Sequence, residues 1–236
     1  MRKTKAVGVT QINNCEVCGG KVLTDVLNLG AHPMCDDLVK VGSERKCTFY
    51  PIEIVYCERC HTAHQKFQIP KKILFSEDYH YRSRFTADVL SGMDDLVASA
   101  ELWVEGLQDK IVVDIGCNDG SLLEKFRSRG AVTIGVEPTG ASNDASGKAD
   151  LIVNDYFNEK IAHSIVEKYG KPDLIVFTNV FAHIEDLGSL IKALILMIGS
   201  KTSVIIENHY LGRVLDTCQF DTFYHEHPRT YSANSF

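Results

Sequence analysis

The stretch Ile111-Val112-Val113-Asp114-Ile115-Gly116-Cys117-Asn118-Asp119-Gly120-Ser121-Leu122-Leu123-Glu124 decides the fold. It opens as a short, mostly apolar run that reads as a strand, turns on Gly116 and Gly120, and continues into a helix whose Ser121 and Glu124 have capping-box spacing. Further apolar runs at Val132–Val136, Leu151–Val153, Leu174–Phe177 and Val204–Ile206 alternate with helical stretches. Continuous rather than alternating hydrophobicity predicts strands buried on both faces, and the helices between them predict parallel βαβ units. The expected class is therefore α/β, a Rossmann-like doubly wound sheet.

In such a sheet, ligands bind at the carboxyl ends of the strands. The glycines here are spaced G-x-x-x-G, so the dinucleotide fingerprint G-x-G-x-x-G is absent. A pyrophosphate needs bare amides, whereas Asp114 and Asp119 put carboxylates at the turn. Those repel a dianion and suit a ligand that carries an ammonium and a sulfonium. S-adenosylmethionine is the cofactor that fits. Glu137 ends the second strand, 21 residues after Gly116, where a carboxylate accepts hydrogen bonds from ribose hydroxyls. After the third strand, Asp155 and Tyr156 offer a polar contact and an aromatic face for adenine. The expected cofactor set is Asp114, Gly116, Cys117, Asn118, Gly120, Glu137, Asp155, Tyr156 and Asn179, with Cys117 packing inside the turn rather than acting as a nucleophile.

Six of the eight cysteines fall in the first 60 residues, so their role belongs to one end of the chain. Cys15-Glu16-Val17-Cys18 and Cys57-Glu58-Arg59-Cys60 are two C-x2-C knuckles, and this spacing brings four thiolates onto one tetrahedral Zn²⁺. The shell is complete without His61 and His64, which are expected outside it. With four thiolates there is no open position, so the zinc is structural. Cys35 and Cys47 lack paired spacing and read as small half-buried residues. Val22-Leu23, Val26-Leu27 and the alternating Ile52–Tyr56 suggest short strands of a zinc ribbon. Residues 1–72 are thus a zinc-binding domain, 73–104 a linker and lead-in helix, and 105–236 the cofactor-binding domain.

A net charge of −6 with scattered Lys and Arg argues against a phosphate-tracking basic face, so nucleic acid is not an expected partner. No run approaches a membrane span, and Met1-Arg2-Lys3-Thr4-Lys5 leads into no apolar signal region. A cytoplasmic protein is expected, with no membrane partner.

The fourth strand continues through Asn179-Val180-Phe181-Ala182-His183, which puts Asn179 and His183 one helical turn apart. The fifth gives way to Glu207-Asn208-His209-Tyr210, and Phe220-Asp221-Thr222-Phe223-Tyr224-His225-Glu226-His227 follows. A general base near neutral pH is most often His, and Tyr or a second His can hydrogen-bond an oxyanion.

Taken in order, the paired knuckles, Tyr79-His80-Tyr81-Arg82-Ser83, Val113–Gly120, Asn179–His183 and Tyr224-His225-Glu226-His227 resemble the nucleotide-sugar C-methyltransferases of branched deoxysugar biosynthesis, over nearly the whole chain. The resemblance implies a class I methyltransferase fold and methylation of a ring carbon next to the ketone of a nucleotide-activated 4-keto sugar such as a TDP-4-keto-deoxysugar. Carried over, His227 matches the general base, Tyr224, Glu226 and His183 lie beside the keto sugar, and Tyr79 and Tyr81 match a substrate-binding Y-x-Y segment. Members of that family continue past Ser232-Ala233-Asn234-Ser235-Phe236 with a C-terminal domain. Without it the fifth strand is a bare edge, which a further domain or a second copy is expected to cover. His227-Pro228-Arg229-Thr230 also differs from the more apolar stretch expected there. Two other readings stay open: an O- or N-methyltransferase, and a non-catalytic cofactor-binding or scaffold fragment.

Overall fold

The computed structural model describes residues 8–236, so the reading of Met1–Lys5 lies outside the described residues. Along the chain run β1 (Thr10–Gln11), β2 (Thr24–Pro33), β3 (Phe49–Cys57), β4 (Thr62–Gln65), β5 (Phe67–Gln68), α1 (Lys71–Leu74) and α2 (Ala87–Trp103). Then come β6 (Ile111–Ile115), α3 (Ser121–Ser128), β7 (Val132–Val136), α4 (Ala141–Ala145), β8 (Leu151–Val153), α5 (Glu159–Tyr169) and β9 (Leu174–Thr178). The chain closes with α6 (Leu187–Met197), β10 (Ser203–Glu207), α7 (Leu211–Asp216) and β11 (Arg229–Thr230). It divides into two compact units: residues up to Leu74 with Ala182–Leu187 and Asn208–Phe236, and Phe75–Phe181 with Gly188–Glu207.

The first unit, the zinc unit, is built on an antiparallel sheet in the order β11-β4-β3-β2, with a separate β1-β5 pair. Alternation in β3 buries Tyr50, Ile52 and Ile54. Ile52, Ile54 and Ala63 pack against Leu211, Val214 and Phe223. β2 is longer than the short strand expected and carries two register shifts, the second next to Gly30 at φ +86°, which is where a bulge most readily forms. Residues 208–236 were expected with the parallel sheet; they cluster here because α7 fills the apolar face of β3 and β4 while β11 pairs with β4.

The second unit, the sheet unit, is the five-stranded parallel sheet β10-β9-β6-β7-β8 of a Rossmann-like fold. Three strands, β6, β7 and β9, bear out burial on both faces, whereas the outer strand β8 is only half-buried. β10 departs from it as well: as an outer strand, paired among the described residues only with β9, it leaves Val204 exposed. Helix α2 is the lead-in helix, and its Met93, Val97 and Ala100 bury against Val112, Leu122, Phe126 and Leu174. The capping box is replaced by a different device. Gly120 is the N-cap in a left-handed conformation (φ +74°), and Asp119 Oδ1 accepts from Ser121 N (3.2 Å) and Oγ (2.6 Å). Nor do Asn179 and His183 share a helix: Asn179 turns the chain at φ +55°, and a short 3₁₀ turn, Phe181–His183, follows. Among the described residues no helix is long and apolar enough to cross a membrane.

Candidate functional sites

In the zinc unit, the Sγ atoms of Cys15, Cys18, Cys57 and Cys60 all lie within 4.8 Å of one another. Cys15 and Cys60 are 3.4 Å apart and Cys18 and Cys57 3.6 Å, close to the ~3.8 Å sulfur spacing of a tetrahedral Zn²⁺ with Zn–S bonds of about 2.3 Å. The first knuckle closes through Cys15 N donating to Gly20 O (2.8 Å) and Gly19 N to Cys15 O (2.9 Å). A Cβ at position 20 would sit 3.3 Å from Cys18 Sγ, so glycine gives the sulfurs room. The Gly20 amide brings the Cys18 thiol down to about 7, whereas burial pushes Cys15 up. The donor set fits zinc, and all four predicted ligands converge. His61 is outside the shell, its Nδ1 hydrogen-bonded to Tyr56 OH at 2.6 Å. His64 is also outside, fully buried with Nε2 3.3 Å from Cys15 Sγ. Cys35 is exposed rather than half-buried.

In the sheet unit, Asp114 is buried, and its Oδ1 has no hydrogen-bond partner. Burial, then the charge of Glu137, push its carboxyl up to about 8. A buried acceptor of that kind fits an incoming ammonium group. Gly116 has φ +76°, and a Cβ there would meet Val180 Cγ2 at 2.5 Å, so the turn requires glycine. Cys117 is buried, and burial first, then Asp114, raise its thiol well above the usual range, which fits a packing role.

Asn118 links three segments: its backbone N–H donates to Glu137 Oε2 (3.0 Å), its Nδ2 donates to Tyr81 O (3.1 Å), and its Oδ1 accepts from Ser83 N (3.0 Å). Glu137 Oε1 accepts from Thr139 N (2.9 Å) and Oγ1 (2.6 Å), so the carboxylate is held at the end of β7. Asp119 was expected to face the ligand; its Oδ2 instead accepts from Arg84 N (3.1 Å). Asp155 Oδ1 accepts from Tyr156 N (2.7 Å), and Tyr156 OH donates to Phe75 O (3.0 Å). Asn179 Nδ2 donates to Glu207 Oε1 (3.1 Å). The Tyr79 ring stands edge-on to Phe75 at 5.4 Å, while Tyr81 is exposed.

A third constellation belongs to the zinc unit. The rings of Tyr224, His209 and His183 lie 4.2, 4.7 and 4.9 Å from that of His227. His227 Nδ1 is 2.9 Å from Thr222 O. A carbonyl only accepts, so this assigns the proton to Nδ1 and leaves the Nε2 lone pair as the basic site. Burial, with His209 nearby, brings His227 down to about 4, and burial also takes His183 well below the usual range. His227 and His183 are therefore neutral near pH 7. Glu226 is buried in the same loop. His225 is directed elsewhere, its Nε2 3.1 Å from Tyr50 O. His209 was not among the predicted site residues. Its only signal was its place just past the last parallel strand, where Asn208 Oδ1 accepts from Ala182 N (3.2 Å) and joins its segment to that of His183.

A family model described as "Methyltransferase domain" matches residues 84–236, and one described as "Putative zinc binding domain" matches residues 15–75. The chain is 30% identical to the C-methyltransferase NovU of Streptomyces niveus over 96% of its own length and 54% of that protein's. It thus spans about half the length of this curated relative. Among solved structures it is similar to magnesium protoporphyrin IX methyltransferase (ChlM) of Synechocystis PCC 6803 with bound SAH, at 20% identity and TM-score 0.39 over 57% of this chain and 63% of that one. A SAM-dependent methyltransferase from Archaeoglobus fulgidus matches at 18% identity and TM-score 0.41, over 56% and 61% of the two chains.

Proposed function

The chain belongs to the methyltransferase domain family, and from that premise we propose that it is an S-adenosylmethionine-dependent C-methyltransferase acting next to the ketone of a nucleotide-activated 4-keto sugar. The single observation that carries the carbon-acceptor reading is the His227 cluster. A neutral imidazole with its Nδ1–H committed to Thr222 O offers Nε2 as a base, beside a phenol and two further imidazoles able to donate to an oxyanion. The 30% identity to a C-methyltransferase supports the same reading.

In this reading Asp114 takes the ammonium of the cofactor, Glu137 the ribose hydroxyls, and the Gly116–Gly120 turn gives close backbone approach. Asn118, Asp155, Tyr156 and Asn179 complete the cofactor set, with Cys117 packed beneath it. Bound S-adenosylmethionine supplies an electrophilic methyl group on sulfur. His227 Nε2 accepts the proton from the carbon α to the ketone. Tyr224, His183 and Glu226 lie beside the sugar, and Tyr224 or His183 donates to the enolate oxygen. The enolate carbon so formed is the nucleophile for the methyl group that the cofactor, held by Asp114 and Glu137, would supply from its sulfonium. Tyr79 and Tyr81 belong to the sugar-binding segment.

The test is turnover of a TDP-4-keto-deoxysugar with isotope-labelled methyl, with the product fragmented by mass spectrometry. The label is expected on carbon, and His227→Ala should lower the rate by roughly 10²–10⁴-fold with the affinity for S-adenosylhomocysteine unchanged. Label on oxygen or nitrogen would overturn the carbon reading, and an unchanged rate would remove His227 from the role.

A further inference from the structure

The segment that carries Tyr224 and His227 has little regular structure of its own, ending in the two-residue strand β11. What holds it is the metal-binding end of the same unit. β11 pairs with β4, which begins two residues after the ligand Cys60, in the register Arg229↔His64 and Thr230↔Ala63. Gln65 N donates to Pro228 O (2.9 Å) and Gln65 Nε2 to Tyr224 O (3.1 Å), one on each side of His227. Cys60 O accepts from Ser232 Oγ (3.4 Å) and Ser235 Oγ (3.2 Å).

The first knuckle reaches the same place. Glu16, between the ligands Cys15 and Cys18, accepts through Oε2 from Arg229 Nη1 at 2.6 Å and from Gln68 Nε2 at 2.8 Å. Arg229 is fully buried, and its Nε donates to Tyr231 OH at 3.0 Å. His64, 3.3 Å from Cys15 Sγ, faces Glu16 Oε2 at 3.7 Å. A buried guanidinium stays charged and needs its counter-ion. Here the counter-ion sits inside a C-x-x-C turn whose shape a metal ion sets.

We propose that the zinc site is a positioning device for the His227 loop, with Glu16 and Arg229 as the positioning residues that transmit its geometry. Metal bound at Cys15, Cys18, Cys57 and Cys60 fixes both knuckles. The Glu16–Arg229 pair and the β4–β11 pairing then fix the backbone on either side of His227. The naming of the positioned group as a base rests on the function proposed above, whereas the coupling of metal to loop does not.

The experiment is amide hydrogen exchange of the full chain, resolved over residues 222–232, together with zinc content and calorimetric binding of S-adenosylhomocysteine. Glu16→Gln is expected to keep zinc and cofactor binding and to speed exchange of residues 224–231 by about tenfold or more. Its kcat for the 4-keto sugar should fall by roughly 10–100-fold with KM for S-adenosylmethionine unchanged, the usual scale for groups behind metal ligands, and Glu16→Asp should restore part of it. Unchanged exchange in Glu16→Gln with zinc bound overturns the proposal. If that variant does not fold, stepwise chelation of the native protein decides: protection of 224–231 lost in step with zinc supports the coupling, and protection kept after metal loss overturns it. If His227→Ala retains full turnover, the function proposed above falls while the exchange results still judge the coupling.

Discussion

In the sheet unit, the residues around Gly116 stand at the ends of strands that carry their own apolar signal. In the zinc unit, the residues around His227 stand on a loop that has, besides nearby contacts at Thr222 and Leu211, partners more than 150 positions away in sequence, at Glu16, Cys60 and Gln65. The first arrangement is built from short-range βαβ units that bury Val112, Leu122, Phe126 and Leu174 in a shared core. The second has a smaller apolar cluster around Ile52 and Ile54 and depends on sulfur ligands for the rest. A functional loop can thus be ordered by the core beneath it or by a cross-link beside it, and the two should fail differently.

The sharpest way to break the comparison is to remove the metal. Structural zinc is worth about 10–16 kcal/mol of apparent binding energy in small domains. Chelation or Cys57→Ser should therefore abolish the protected amides of the zinc unit, while those of β6, β7 and β9 stay protected; equal loss in both, read by hydrogen exchange, would show that the sheet too depends on the metal. Next in size is Phe126→Ala, which empties a fully buried site in the sheet core and should cost about 3–5 kcal/mol. Chemical denaturation should show the loss in the sheet unit with zinc content unchanged.

The two units should also respond to pH with opposite signs. His183, His225 and His227 have folded pKa values below the ordinary 6.5, with burial as the main cause and His227 at about 4. Between pH 6.5 and about 4 the unfolded chain binds these protons and the folded one does not, so the zinc unit loses stability as pH falls. Asp114 is raised to about 8. Between pH 4 and 8 the folded sheet unit keeps a proton that the unfolded chain has released, so its stability falls as pH rises. Each group contributes at most about 1.4 kcal/mol per pH unit. Melting across pH should show both slopes, and Asp114→Asn should flatten the second. Binding of an ammonium beside Asp114 favours its ionised form, so affinity for S-adenosylhomocysteine should rise from pH 6 to 8.

The smallest expected effect concerns a helix end. Asn158 caps α5 by accepting from Ile161 N at 3.1 Å, and Asn158→Ala should cost about 1 kcal/mol. A thermal scan should register it in the sheet unit and leave the zinc-dependent protection of residues 224–231 untouched.

How much was legible follows the same division. β6 and β7 have the ends that the apolar runs predict, because burial on both faces leaves a local mark, and the half-buried edge strand β8 keeps its predicted ends through its apolar run Leu151–Val153. The four zinc ligands were legible because a metal needs donors at fixed spacing. Asp119 was misread: its carboxylate caps the turn and takes Arg84 N, since a short acidic side chain beside a left-handed glycine finds backbone donors at once. Asn179 and His183 were placed on a helix that Asn179, at φ +55°, ends before it begins.

The sequence by itself determined the parallel sheet, the Gly116–Gly120 turn and the Cys15, Cys18, Cys57 and Cys60 tetrad, because periodicity, glycine and metal-ligand spacing are properties of neighbouring residues. Only the tertiary structure decided that residues 208–236 belong with the zinc unit, that His209 joins His227, and that Glu16 pairs with Arg229. Those choices rest on filling the face of β3 and β4 and on giving a buried guanidinium its counter-ion. Neither demand leaves a trace in local sequence, because each is met by a residue far along the chain.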